Sequence, residues 1–178
     1  MSASFLPGVI KEFMRYKELG EKAMSQLPES KLFWQYNEES NSIATIVKHM
    51  SGNMLSRWTD IFNSDGEKEW RMRDQEFVND IATRDDLMKI WNKGWDKVFE
   101  TINSLNDEDL ERIIYIRGEA HTVTEAILRQ VAHYPHHVGQ ILFIGKMILN
   151  QEWHSLSIPR NKSAEFNVKT FSDSKGQS

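Results

Sequence analysis

The chain has 178 residues, of which 39% are hydrophobic and 27% charged, a globular balance that excludes an extended disordered protein. Its formal charge of −4, from 22 basic against 26 acidic residues, provides no general attraction to nucleic acid or an anionic membrane. Cysteine is absent, so disulfides, thiolate metal sites and cysteine nucleophiles are excluded, and a metal or catalytic site must use His, Asp, Glu or hydroxyls.

From Met1 to Phe13 there is no basic segment followed by an apolar stretch and a small-residue cleavage site, so no export signal is read. The first predicted helix then covers Phe5 to Leu27, where Phe5, Val9, Phe13, Tyr16, Leu19, Ala23 and Leu27 recur at three- and four-residue steps. After Pro28 a loop carries Trp34 and Tyr36 to Asn41 and Ser42, either of which can cap the second helix. That helix is expected from Ile43 to Asn63, with Ile46, Val47, Met50, Met54, Trp58 and Ile61 on one face, and Ser64-Asp65-Gly66 ends it. Residues Glu67 to Asp80 lack periodicity and read as a long connection, of a length that often carries function.

Thr83 with Asp86 approximates a capping box for the third helix, whose stripe is Leu87, Ile90, Trp91, Trp95, Val98, Phe99 and Ile102. The acidic run Asp107-Glu108-Asp109 reads as a helix start rather than a metal site. Ile113-Ile114-Tyr115-Ile116, a turn at Arg117-Gly118-Glu119, and His121-Thr122-Val123 predict a short hairpin. Thr122 and Glu125 form a further capping box, opening a fourth and longest helix on the stripe Ile127, Leu128, Val131, Tyr134, Val138, Ile141, Leu142, Gly145 and Ile148. Pro135 inside it predicts a kink or local widening. The longest apolar stretch, Ile141 to Leu149, is interrupted by Gly145 and Lys146 and falls short of the roughly 20 residues that span a bilayer. The expectation is an all-α four-helix bundle with a small hairpin ornament, one domain over residues 1–171 with a frayed tail at 172–178, in a cytoplasmic protein without nucleic-acid or membrane partners.

Of the six histidines, His133, His136 and His137 fall within five positions of the fourth helix. Residues i and i+4 stand one above the other, so His133 and His137 can present imidazoles to one ion, whereas His136 points about a quarter-turn away from His137. His49 lies at the border of the second helix's apolar stripe. Two histidines from one helix and one from its neighbour give three nitrogen ligands with a position left open, the layout of a catalytic rather than a structural site. Paired histidines also occur on solvated helix faces, and spacing alone leaves both readings open. His121, His136 and His154 are read as ordinary satisfied or exposed histidines, and the Met and Trp stripes as core.

The order of these features, with His133-x-x-x-His137-x-Gly139-Gln140-Ile141, resembles the DinB/YfiT-like group of metalloenzymes over nearly the whole chain. His137-Val138-Gly139-Gln140-Ile141 is similar to that family's His-Arg-Gly-Gln-Ile, with Val138 where Arg is frequent. Ile46-Val47-Lys48-His49-Met50-Ser51-Gly52-Asn53, Arg57-Trp58-Thr59-Asp60 and Ser157-Ile158-Pro159-Arg160 resemble a bacterial subgroup of unknown function.

The resemblance implies a divalent ion, commonly zinc or nickel, on His49, His133 and His137, often in a homodimer. It further implies transfer of a low-molecular-weight thiol such as bacillithiol, mycothiol or glutathione, which is related to chemistry in which a cation deprotonates a thiol of ordinary pKa near 8.5. The alternatives are a metal-dependent hydrolase that activates water, and a non-catalytic metal-binding stress protein. Sequence spacing places no carboxylate beside the metal to act as a general base, which favours the thiol reading over the hydrolase. Arg57, Arg71, Arg73 and Arg160 are candidate anchors for an acidic thiol, each also readable as a solvated surface arginine.

Overall fold

The structure, a computed structural model, describes residues 5–168, so the expected tail at 172–178 lies outside the described residues. Four long helices form where the apolar period predicts them: α1 (Phe5–Ser25), α3 (Ile43–Trp58), α4 (Arg84–Ser104) and α5 (Val123–Leu149), with a single-turn α2 (Glu29–Leu32) after Pro28. Local chemistry starts them. Ser42 accepts from the Thr45 N–H at the head of α3, and Thr122 and Glu125 make a complete capping box at the head of α5. At α4 the box is only half made: Thr83 accepts from the Asp86 N–H, but the Asp86 carboxylate, one methylene shorter than Glu, takes the Thr83 hydroxyl instead of its backbone N–H.

Two expected boundaries are corrected. The helix predicted from Ile43 to Asn63 ends at Trp58, because Thr59 turns extended at φ −78° and ψ 130° and Asp60 then adopts a positive φ of 45°, outside the right-handed helical region. Ile61 is nevertheless buried, which is why its apolar position looked helical. The hairpin closes through two residues rather than three: β1 (Ile113–Ile116) pairs antiparallel with β2 (Glu119–Thr122) across Arg117 and Gly118, both at positive φ, the arrangement that favours Gly at the second position. The Asp65 carboxylate accepts from the backbone N–H groups of Arg117 and Gly118, each at 2.8 Å, so the hairpin is tied to the loop following α3. Pro135 lies within α5, where it withholds the N–H that the Val131 carbonyl would otherwise receive.

α3 packs chiefly against α4, and α1 against α5. Phe13, Trp95 and Tyr134 meet at the centre with ring centroids 5.5–6.1 Å apart, and the Trp58 indole N–H donates to the Tyr134 hydroxyl at 2.8 Å. Among the described residues, no helix is long and apolar enough to cross a membrane.

Candidate metal centre

His49 leaves α3, and His133 and His137 leave α5, toward one point beside the aromatic core. One ring nitrogen of each lies within 4.8 Å of the others, so the group could hold a metal ion. The outer nitrogens show which atoms face inward. The Nδ1–H of His49 donates to Glu76 Oε2 at 2.9 Å, that of His133 to Gln130 Oε1 at 3.2 Å, and that of His137 to Gln140 Oε1 at 2.8 Å. With every Nδ1 carrying the proton, every Nε2 presents a lone pair to the centre. His133 Nε2 and His137 Nε2 stand 3.0 Å apart. Two nitrogens facing at that distance need a proton on one of them or a metal ion between them, and nitrogens about 2.0–2.1 Å from a tetrahedral ion are about 3.3 Å from each other. The donor set fits a divalent ion.

The electrostatics agree with neutral ligands. Burial, reinforced by the imidazoles of His137, His49 and His136 and by Arg57, pushes His133 down to about 3. Burial lowers His137 as well, against a smaller opposing effect of Gln140. The Gln140 amide nitrogen also lies 3.3 Å from His136 Nε2, so one amide spans the two imidazoles.

Glu76 is the residue that sequence reasoning missed. It sits on a 3₁₀ turn, Arg73–Phe77, inside the connection that showed no periodicity, and it is 6% exposed. Burial alone would raise its pKa, but hydrogen bonds from His49 and Arg71 outweigh that and hold the carboxyl below its ordinary range. Arg71 clamps it through Nε to Oε1 at 2.7 Å and Nη2 to Oε2 at 2.9 Å, and gives Nη1 to Glu67 at 3.1 Å. Room for this carboxylate comes from Gly52, one turn beyond His49, where a Cβ would lie 2.1 Å from Glu76 Oε1. The only signals in the sequence were the length of the connection and a glycine inside a helix.

Over the histidines lies a cavity of about 510 Å³ that His49, His133 and His136 line together with Arg57, Arg71, Arg73, Arg117 and Arg129 and one carboxylate, Glu67. The surface reading of Arg57 and Arg71 is overturned: Arg57 is 4% exposed and the Arg71 side chain 3%, because one faces the cavity wall from α3 and the other is enclosed by its carboxylates. Arg73 is exposed and lies over the Phe77 ring, and Arg160 is exposed. His121 stands on β2 opposite Ile114, and His154 is exposed, with its backbone bonded to Gln26. Neither joins the cluster, and His136 is beside it without presenting a nitrogen to its centre.

Over residues 1–162 the chain matches a family described as protein of unknown function, DUF1572. No curated protein matches it significantly.

Proposed function

The chain belongs to this DUF1572 family, and from that premise and the site's geometry we propose a metal-dependent enzyme in which His49, His133 and His137 hold one zinc or nickel ion. We take its reaction to be transfer of a low-molecular-weight thiol of the bacillithiol type to an electrophile. The observation that carries the metal reading is the convergence of three Nε2 lone pairs, each imidazole being turned inward by an oxygen acceptor on its Nδ1. A divalent ion on neutral nitrogens with a position left open supplies Lewis acidity, lowering the pKa of a thiol or water that reaches it.

The chain's own carboxylates favour thiol over water. A hydrolase that uses a carboxylate as its base needs one that is free to accept a proton. Glu76 has both oxygens engaged by His49 and Arg71, and Glu67, which lines the cavity, is paired with Arg71 and Arg117. Glu76, held below the ordinary carboxylate range by hydrogen bonds from His49 and Arg71, is a poor base at neutral pH. A thiol whose pKa the ion would lower below neutrality would release its proton to bulk water without such a base, and the thiol class itself comes from the DinB/YfiT resemblance.

Elemental analysis tests the first half: about one ion per chain is expected, as for a three-histidine site, lost in His49→Ala, His133→Ala and His137→Ala and kept in His136→Ala. Full retention in the three ligand variants removes the assignment. For the second half, bacillithiol added to cobalt-loaded protein is expected to produce sulfur-to-cobalt charge-transfer absorption, with turnover of an electrophile only when the thiol is present. Thiol-independent ester hydrolysis abolished by His133→Ala would establish the hydrolase instead.

A further inference from the structure

Two buried arginines border the cavity over the histidines, and protein groups match only one of them. Arg71 donates three N–H groups to Glu76 and Glu67. Arg57 makes no hydrogen bond or ion pair with any described residue, and its Nε and Nη1 are sealed from solvent without an acceptor. Glu67 is close enough to act on Arg57 electrostatically but makes no hydrogen bond or ion pair with it, its Oε2 facing Arg71 at 3.1 Å and Arg117 at 3.5 Å. A charged group buried without a partner is costly, and proteins retain one where a ligand supplies the missing charge. The surroundings deepen the deficit: five arginines line the cavity against the single carboxylate of Glu67. One of the five, Arg129, is exposed on α5 and likewise bonded to no described residue. Asn53, one turn before Arg57, adds a buried Oδ1 with no donor.

We propose that this cavity is an oxyanion subsite, in which an ionised carboxylate or phosphate of the substrate lies on the Arg57 guanidinium with Arg129 at the open side. The substrate's reacting end then extends toward His49, His133 and His137, and a hydroxyl or N–H on the same molecule meets Asn53 Oδ1. Guanidinium suits this task because its planar fork matches two oxygens of a carboxylate or phosphate at once. The inference rests on reading the cavity as the substrate pocket of the proposed metal enzyme, yet its test needs no metal.

The full chain, stripped of metal with chelator and held at pH 8 so that the histidines are neutral, is titrated with sodium phosphate and separately with sodium succinate, against sodium chloride of equal ionic strength. Melting is followed by tryptophan fluorescence and affinity by calorimetry. At least one anion is expected to raise the melting midpoint beyond the chloride control. Arg57→Met, which removes an unmatched buried charge and keeps an apolar stem, is expected to melt at or above the wild type without anion and to bind it at least about tenfold more weakly. Arg129→Gln, at the surface, is expected to weaken binding by a smaller factor. A response to phosphate alone or to succinate alone identifies the ligand group, and either supports the subsite. Equal anion affinity in wild type and Arg57→Met overturns it, as does a response no larger than that to chloride. Should Arg57→Met not fold, unaltered affinity in Arg129→Gln overturns it instead. Anion binding by a chain that fails to retain metal would leave the subsite standing and sink the metal reading, whereas metal retention without an anion response would do the reverse.

Discussion

His133 and Tyr134 are neighbours on α5, yet they face two different interiors. Tyr134 is fully buried among Phe13, Trp58 and Trp95, and its hydroxyl is met by the Trp58 N–H. His133, about 100° further round the helix, opens into a cavity bounded by guanidinium groups and held in shape by charge-assisted hydrogen bonds. The same split occurs on α3, where Met50 is in the core and His49 in the site. One interior is closed and held by apolar contact. The other is open on one side and holds its side chains through named partners, Glu76, Gln130 and Gln140. Stability and chemistry therefore sit on adjacent positions of the same two helices, and single substitutions should pull them apart.

The largest expected effect is on the closed side. Trp95→Ala removes a fully buried indole that contacts Phe13, Trp91 and Tyr134, and should cost about 3–5 kcal/mol in urea denaturation, while the fraction that stays folded keeps its metal. A loss below about 1 kcal/mol, far under that range, would show that the aromatic cluster is not what supports the bundle. Next comes the open side. Glu76→Gln keeps the shape but removes the charge that orients His49, and is expected to weaken metal binding about 10–100-fold in a chelator competition. Unchanged affinity would mean that His49 needs no such partner.

The most gradual effect is on pH. In the metal-free fold His133 takes up a proton only near 3, against an ordinary value of 6.5, and burial shifts His137 the same way. Between those values the unfolded chain binds more protons than the native one, so stability is complete above about 6.5 and declines as the pH drops toward 3. Denaturation midpoints of chelator-treated protein measured from pH 7 to 4 should show this slope, and His133→Ala should flatten it. A wild-type midpoint independent of pH over that range would contradict the buried, neutral state of the site.

What the sequence allowed to be read divides along the same line. The long helices, the caps at Ser42 and Thr122 and the hairpin were legible because each depends on residues within a few positions of one another. The spacing of His133 and His137 was legible for that reason too. Ile61 misled because it is buried without being helical, and an apolar residue at the right period carries no mark of the turn that Thr59 and Asp60 make before it. Glu76 was out of reach: it meets His49 across 27 positions from a segment with no period. The burial of Arg57 and Arg71 was equally hidden, since whether a guanidinium is solvated or enclosed is decided by distant partners rather than by its neighbours in the chain.

Gly52 carries a consequence for anyone who would redesign this protein or search for others like it. Glycine inside a helix is about 1 kcal/mol worse than alanine, so a propensity-guided optimisation of α3 would choose this position early. The added methyl would fall 2.1 Å from Glu76 Oε1 and push the carboxylate off His49. Position 52 thus shapes the candidate centre through an atom it lacks. In a comparison of related chains, a vacant side chain three positions after the α3 histidine would point to the same carboxylate latch even where the residue supplying that carboxylate sits elsewhere in a connection of different length.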